Sequence, residues 1–350
     1  MYATRPFRHS PRRAGVSRLD VMTDSQRVLV YGASGHTGKF VVEELLRRGF
    51  QPIVAGRSLA RLAQFADLDR RAASIDDGPG LRALLQDVAV VINCAGPFLD
   101  TALPLAKAAV ETGAHYLDVT AEQPAVQQLY RELDAPARAA GTVVVPAMAF
   151  YGGLADLLLT AVLGSETSAD EVEVAIGLDR WWPTEGTRVT GARNTAPRLV
   201  LREGALVTIS APPATGKWDF PEPIGAQSTV ELPFSEVVTI HRHLKVGSLR
   251  SWLNTAPLND LRDPDTPAPN GRSAQRFAVE VTVGSGPSTR RGIATGRDIY
   301  ATTAPLLAEA VVRLLDGRYR GSGALAPGEV FDAADFLTAI SDPDFEAVWR

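Results

Sequence analysis

The chain has 350 residues, 45% of them hydrophobic and 22% charged, with a formal net charge of −4. That length carries two domains and a sizeable core, and the charge gives no electrostatic reason to expect a nucleic-acid partner. A single cysteine, Cys94, excludes an intrachain disulfide framework and suits a reducing cytoplasm, and no apolar run approaches the length that crosses a bilayer, so no membrane partner is expected.

Residues 1–24 scatter Arg5, Arg8, Arg12, Arg13 and Arg18 among Pro, Ser and Gly without periodicity. This reads as a disordered tail, with Met22 as an alternative start. From residue 25 the pattern changes. The apolar run Arg27–Tyr31 breaks into Gly32-Ala33-Ser34-Gly35-His36-Thr37-Gly38, and a helical pattern follows through Leu46. Strand, glycine turn and helix in this order are a dinucleotide-binding crossover. Gly32 supplies the tight turn, Gly35 lets backbone approach a pyrophosphate, and Gly38 lets the helix lie on the strand.

Pro52–Gly56 reads as a second strand ending at Arg57–Ser58. An acidic residue at this place would accept a bond from a ribose 2′-hydroxyl, whereas an arginine suits a 2′-phosphate and Ser58 adds a donor. The spacing therefore points to NADP(H). Ala72–Ile75 is a short third strand, with Asp76 and Asp77 placed either to meet adenine or to cap the next helix. The continuous apolar run Val88–Asn93 predicts a central parallel strand buried on both faces. It ends in the bend Cys94–Phe98. Helix, strand (His115–Val119), helix and strand (Thr142–Val145) follow, completing six strands of a doubly wound unit.

Beyond residue 166 the runs Val172–Leu178, Leu199–Ile209, Thr229–Ile240, Phe277–Val283 and Arg290–Ala294 read as strands without long helices between them. They predict a second α+β domain built on a mostly antiparallel sheet, with Pro257–Asn270 as a mobile loop. The helical run Tyr300–Leu315 is expected to pack back on the first domain. The predicted fold class is thus α/β: a Rossmann domain over 25–165 and 297–350, and a substrate or dimerisation sheet domain over 166–296. An exposed sheet face there offers a homodimer surface.

GASGHTG, AGRS, VINCAGPF, HYLDVTAEQ and the closing GRDIYATTAPLLAEAV together resemble the saccharopine dehydrogenase-like oxidoreductases, most strongly over residues 26–160. That family also includes trans-acting enoyl reductases. The resemblance implies an NAD(P)-dependent enzyme with dinucleotide contacts at Gly32, Ser34, Gly35, His36, Thr37, Arg57, Ser58, Asn93, Ala95 and Gly96. It implies a small-molecule substrate whose C=N or activated C=C bond is reduced.

In a doubly wound sheet ligands sit beyond the carboxyl ends of the strands. This selects Asn93–Phe98, Asp118–Glu122 and Phe150–Gly153 as the floor of the site. Tyr151 is the candidate proton donor, beside the hinge-like pair Gly152–Gly153, with packing as the alternative. Asp118 and Glu122 either orient a water or amine or serve a turn or cap. Arg180–Pro183 is a candidate substrate wall, again with core packing as the alternative. His241-x-His243, read on one strand face, lacks further ligands, so no metal is expected. No tyrosine has a lysine four residues later, which excludes the Tyr-x-x-x-Lys chemistry of short-chain dehydrogenases. A non-catalytic NADP(H)-binding redox sensor is the alternative function.

Overall fold

The computed structural model describes residues 27–284 and 289–350; the tail read over 1–24 lies outside them. The first half runs β1 (Val28–Tyr31), α1 (His36–Arg47), β2 (Ile53–Gly56), a 3₁₀ turn (Leu59–Phe65), β3 (Arg70–Ala72), α2 (Gly78–Leu85), β4 (Val90–Asn93), α3 (Phe98–Thr112), β5 (His115–Asp118), α4 (Gln123–Ala140), β6 (Val143–Val145) and α5 (Gly153–Leu163). The second half runs β7 (Ser168–Leu178), α6 (Glu185–Arg193), β8 (Leu199–Arg202), β9 (Ala205–Thr208), β10 (Thr215–Asp219), β11 (Ala226–Glu231), α7 (Glu236–His243), β12 (Lys245–Asn254), α8 (Ala256–Arg262), β13 (Arg276–Val283) and β14 (Arg290–Arg297). It closes with α9 (Thr303–Asp316), β15 (Gly323–Ala324), α10 (Pro327–Val330), α11 (Ala333–Thr338) and β16 (Glu346–Trp349).

The first sheet is parallel throughout, in the order β15-β6-β5-β4-β1-β2-β3. This is the doubly wound order, and its switch point lies between β1 and β4. Alternation along the strands explains the two-sided burial. Val28, Val30, Val54, Val90 and Ile92 join the core on one face, and Leu29, Tyr31, Ile53, Ala55 and Val91 join the core on the other. Asp77 caps α2, its carboxylate accepting from the Gly80 amide at 2.9 Å. The return of α9 to the first domain is held by ions as well as by apolar packing. Arg48 bridges Glu44 at 2.7 Å and Glu309 at 2.8 Å, and Glu309 accepts from the buried Arg313 at 2.9 Å.

The second sheet has nine strands, with the path β10-β11-β12-β7-β13-β14-β16 and the β8–β9 hairpin attached to β12. It is antiparallel except for the long β7–β12 pairing, which is parallel. Several boundaries differ from the sequence reading. Leu199–Ile209 is a hairpin, not one strand, turning at Glu203 (φ 48°) and Gly204 (φ 75°). The strand read over Thr229–Ile240 ends at Glu231, and Glu236–His243 is helical because its β-branched residues are buried against α5 and β12. Pro257–Asn270 starts as helix α8 and is tied down by Arg188, which donates to the carbonyls of Leu261, Asp263 and Thr266 at 2.6–3.2 Å.

The domain division also shifts. α5 packs on β13, β14, α10 and α11, so it belongs with the second sheet although it precedes residue 165. β16 pairs with β14, so the last residues of the 297–350 segment complete the second sheet instead of the Rossmann domain. Gly152–Gly153 is closely packed: a Cβ on Gly152 would stand 2.5 Å from Ser235 Oγ, and one on Gly153 would stand 2.8 Å from the Ala147 carbonyl oxygen. Part of the outer sheet face is covered by β10, whose Trp218 donates to Glu280 at 3.0 Å, followed by Phe220 lying over Gly177. No described helix is long and apolar enough to cross a membrane.

His241 and His243 lie in the last turn of α7, not on a strand. His243 Nε2 meets the fully buried Asp156 at 2.7 Å. Burial pulls the imidazole down, but Asp156 and the nearby Glu329 more than offset it, and the pKa rises above 6.5. The pair's contribution to stability is therefore fully present below pH 6.5 and lost as pH rises through the raised folded value. The melting temperature of the parent protein should fall more between pH 6 and pH 8 than that of His243→Gln. Equal falls in calorimetric scans would refute the assignment.

Candidate active site

β1 leaves its sheet at Gly32, whose φ of 82° is left-handed and whose Cβ would stand 2.8 Å from Ala95 N. A Cβ on Gly38 would stand 2.3 Å from the Gly32 carbonyl oxygen, so α1 rests directly on the strand exit. Gly35 is different. It is exposed and has only the Gly32 oxygen, at 3.2 Å, within 4 Å of its Cβ position. It is also the N-cap of α1, and no side chain caps that helix. The first N–H groups of α1 and the positive end of its dipole thus face open space, an arrangement whose chemistry suits an anion. Around it the side chains of Ser34, Thr37, Arg57 and Ser58 make no hydrogen bond or ion pair among the described residues. His36 packs edge-on against Phe40 and Tyr300, with ring centroids 5.0 and 5.2 Å apart, and burial lowers its pKa.

Across the switch point, the bend after β4 is shaped from inside. Asn93 is fully buried and uses its whole amide: Oδ1 accepts from Ala95 N at 3.0 Å, and Nδ2 donates to Tyr116 and Thr101 at 3.1 and 3.3 Å. Its side chain shapes the bend and is not open to a dinucleotide. Ala95 is likewise engaged, its carbonyl accepting from Thr101 Oγ1 at 2.5 Å. Gly96 is exposed, and a Cβ there would stand 2.9 Å from Thr190 Oγ1 of α6. Burial pushes the Cys94 thiol up, keeping it a neutral packing group.

Neither Asp118 nor Glu122 is open to a ligand. Asp118 is fully buried and accepts from Tyr116 OH at 3.0 Å, Thr120 N at 3.0 Å and Ala147 N at 2.8 Å. Burial lifts its pKa to about 6, against the pull of those bonds. Glu122 accepts from the first amides of α3, Phe98 N at 2.8 Å and Leu99 N at 3.2 Å. It serves as the cap that Pro97 cannot provide, so the capping alternative describes it.

The second domain brings an aromatic row to the cleft. Tyr151 stacks on Phe234 with ring centroids 4.2 Å apart, with Phe150 at 4.9 Å and Trp181 at 6.2 Å. Its hydroxyl is enclosed without a hydrogen-bond partner. Burial, Tyr300 and Glu236 raise its pKa well above 10, and Arg198 opposes them. The Tyr300 hydroxyl meets Thr187 Oγ1 at 2.8 Å, Trp181 Nε1 at 3.0 Å and Thr184 N at 3.3 Å. α6, which carries no buried residue, therefore lies across the cleft from Gly96 to Tyr300, with Arg193 paired to Asp100. Trp181 joins this wall, while Arg180 turns onto the Trp182 ring at 5.1 Å. The sequence reading missed Tyr300, Arg198 and the α6 threonines, because no spacing links them to Tyr151. In the folded chain Tyr300 is placed by Asp298, held at φ 62°, whose carboxylate accepts from the Tyr300 and Ala301 amides. No metal-binding cluster occurs among the described residues.

Sheet order, glycine turn and cleft define a Rossmann-type dinucleotide-binding protein with a mixed second sheet. Residues 28–145 match the family model of the saccharopine dehydrogenase NADP binding domain. A lipid droplet localized protein of Caenorhabditis elegans is 33% identical over 146 residues, covering 37% of this chain and 34% of the relative. A probable mitochondrial saccharopine dehydrogenase-like oxidoreductase of Arabidopsis thaliana is 26% identical over 250 residues, covering 62% of this chain and 55% of the relative. The matches thus span about a third to a half of these relatives. Apo saccharopine dehydrogenase (L-Glu forming) from Saccharomyces cerevisiae shares the fold at a TM-score of 0.68 and 14% identity, covering 93% of this chain and 100% of that one.

Two outcomes follow from this geometry. Gly35→Val should abolish dinucleotide binding in calorimetry while the melting curve stays close to the parent's, since its Cβ meets little protein. Glu122→Ala should cost about 1–3 kcal/mol in denaturant unfolding by stranding two α3 amides; an unchanged midpoint would remove the cap.

Proposed function

We propose that the protein is an NADP(H)-dependent oxidoreductase that reduces a C=N or activated C=C bond of a small metabolite. The observation that carries this reading is an unpartnered phenol enclosed between the two domains, across the cleft from an uncapped helix start. The uncapped start of α1, with Gly32 and Gly35, fits a pyrophosphate. The free side chains of Arg57 and Ser58 fit a 2′-phosphate, and Ser34 and Thr37 offer further donors. Such a coenzyme supplies hydride when bound. The chain's own residues hold it, exclude water through α6 and the aromatic row, and present one proton at Tyr151 Oη.

Asn93, Asp118 and Glu122 act from beneath, holding the strand ends in place. His36, whose pKa burial lowers, packs edge-on with Tyr300 beside the turn. The lone thiol fits a cytoplasmic setting.

The decisive experiment is NADPH oxidation screened against imines, enoyl thioesters and carbonyls. Turnover is expected with the first or second class, and Tyr151→Phe should lower kcat more than it raises KM. NADPH should bind more tightly than NADH, and Arg57→Ala should remove the difference. Tight NADPH binding with no oxidation of any class would favour the redox-sensor reading, and equal affinities would overturn the NADP(H) preference.

A further inference from the structure

Tyr151 sits where its proton is hard to give up. Tyr300 faces it from the turn before α9, Glu236 from α7, and Arg198 from the segment before β8. Glu236 is fully buried; Oε1 accepts from Phe234 N at 2.9 Å and Ser251 Oγ at 2.6 Å, and Oε2 has no partner. Arg198 is the single cation of this group. It lies over the Phe234 ring at 4.9 Å, the same ring on which Tyr151 stacks at 4.2 Å. Its Nη1 donates to the Pro233 carbonyl at 2.6 Å, and it makes no ion pair among the described residues. A guanidinium held by a neutral carbonyl and an aromatic face keeps its charge available to its neighbours. In this enclosed place that charge acts strongly.

We propose that Arg198 is the positioning residue that makes Tyr151 usable as an acid, by stabilising the phenolate that remains when the proton has left. This rests on the reading of Tyr151 as proton donor. In that step the Tyr151 O–H bond breaks and its electron pair stays on the phenolate oxygen. The proton forms an N–H or C–H bond with the electron pair released on the substrate when hydride from NADPH adds to the other end of its double bond. Solvent later returns a proton to the phenolate. Arg198 thus fills, through space and from 47 positions away in the chain, the role that a lysine four residues on fills in Tyr-x-x-x-Lys enzymes. Desolvation, Tyr300 and Glu236 work against the phenolate, and the guanidinium works for it.

The test needs no substrate. Trifluorotyrosine placed at position 151 of the full chain lowers the phenol's titration into an accessible range and reports it by fluorine NMR. In Arg198→Met the midpoint should rise by about one pH unit, a tenfold loss of phenolate at fixed pH. In Arg198→Lys, which keeps the charge, it should stay near the parent value. An unmoved midpoint in Arg198→Met overturns the proposal. So does an equal rise in the methionine and lysine variants, because packing and not charge would then be responsible. If Arg198→Met fails to fold, Arg198→Gln gives the same comparison. Turnover in Tyr151→Phe judges the donor itself, so either idea can fail without the other.

Discussion

The buried carboxylate of Asp118 is the tie on which the crevice depends. It ends β5, takes the hydroxyl of Tyr116, and reaches across to the amide of Ala147. Ala147 is held at a φ of 57°, a left-handed value that a non-glycine residue keeps only where its surroundings demand it. From that turned residue the chain passes through Tyr151 and the close-packed Gly152–Gly153 into α5, and so into the second sheet. Through Tyr116 the same network reaches Asn93 and the bend after β4. One acid group therefore sets the relative placement of the two loops that floor the cleft.

A single apolar core runs from one face of the parallel sheet through α5 to the inner face of the second sheet. Polar brackets fix its seam. The Gln123 amide donates to the carbonyls of Leu199 and Phe234 and accepts from Leu199 N, and Ser235 Oγ donates to Thr120 O. Continuous packing makes the geometry between Gly35 and Tyr151 a property of the whole molecule. α6 stands outside this scheme. It carries no buried residue and is fastened over the cleft by threonine hydroxyls, one ion pair and Arg188.

Much of the first domain was legible because a parallel sheet buried on both faces demands apolar runs, and Val90–Asn93 shows one. Glycine spacing marked the turn for a steric reason that the structure displays at Gly32 and Gly38. The second sheet was less legible. β12, its parallel centre, mixes Gly247, Ser248 and Arg250 into its run, and α7 is written in β-branched residues that packing makes helical. The histidine pair looked like the beginning of a metal site, and His243 is instead half of a buried ion pair that closes the packing of α7 on α5.

By itself the sequence determined the doubly wound order, the glycine turn at the start of α1 and the arginine after β2, because each depends on local periodicity or on the size of one residue. It also placed Tyr151 at a strand end. Tertiary structure alone decided which polar groups are spent and which are free. Asn93, Asp118 and Glu122 look like ligands in one dimension and prove to be internal ties in three. Arg198, Phe234 and Tyr300 carry no motif, yet they surround the phenol. The reason is physical: hydrogen-bond satisfaction and desolvation depend on neighbours far apart in the chain, and spacing along the chain does not encode them.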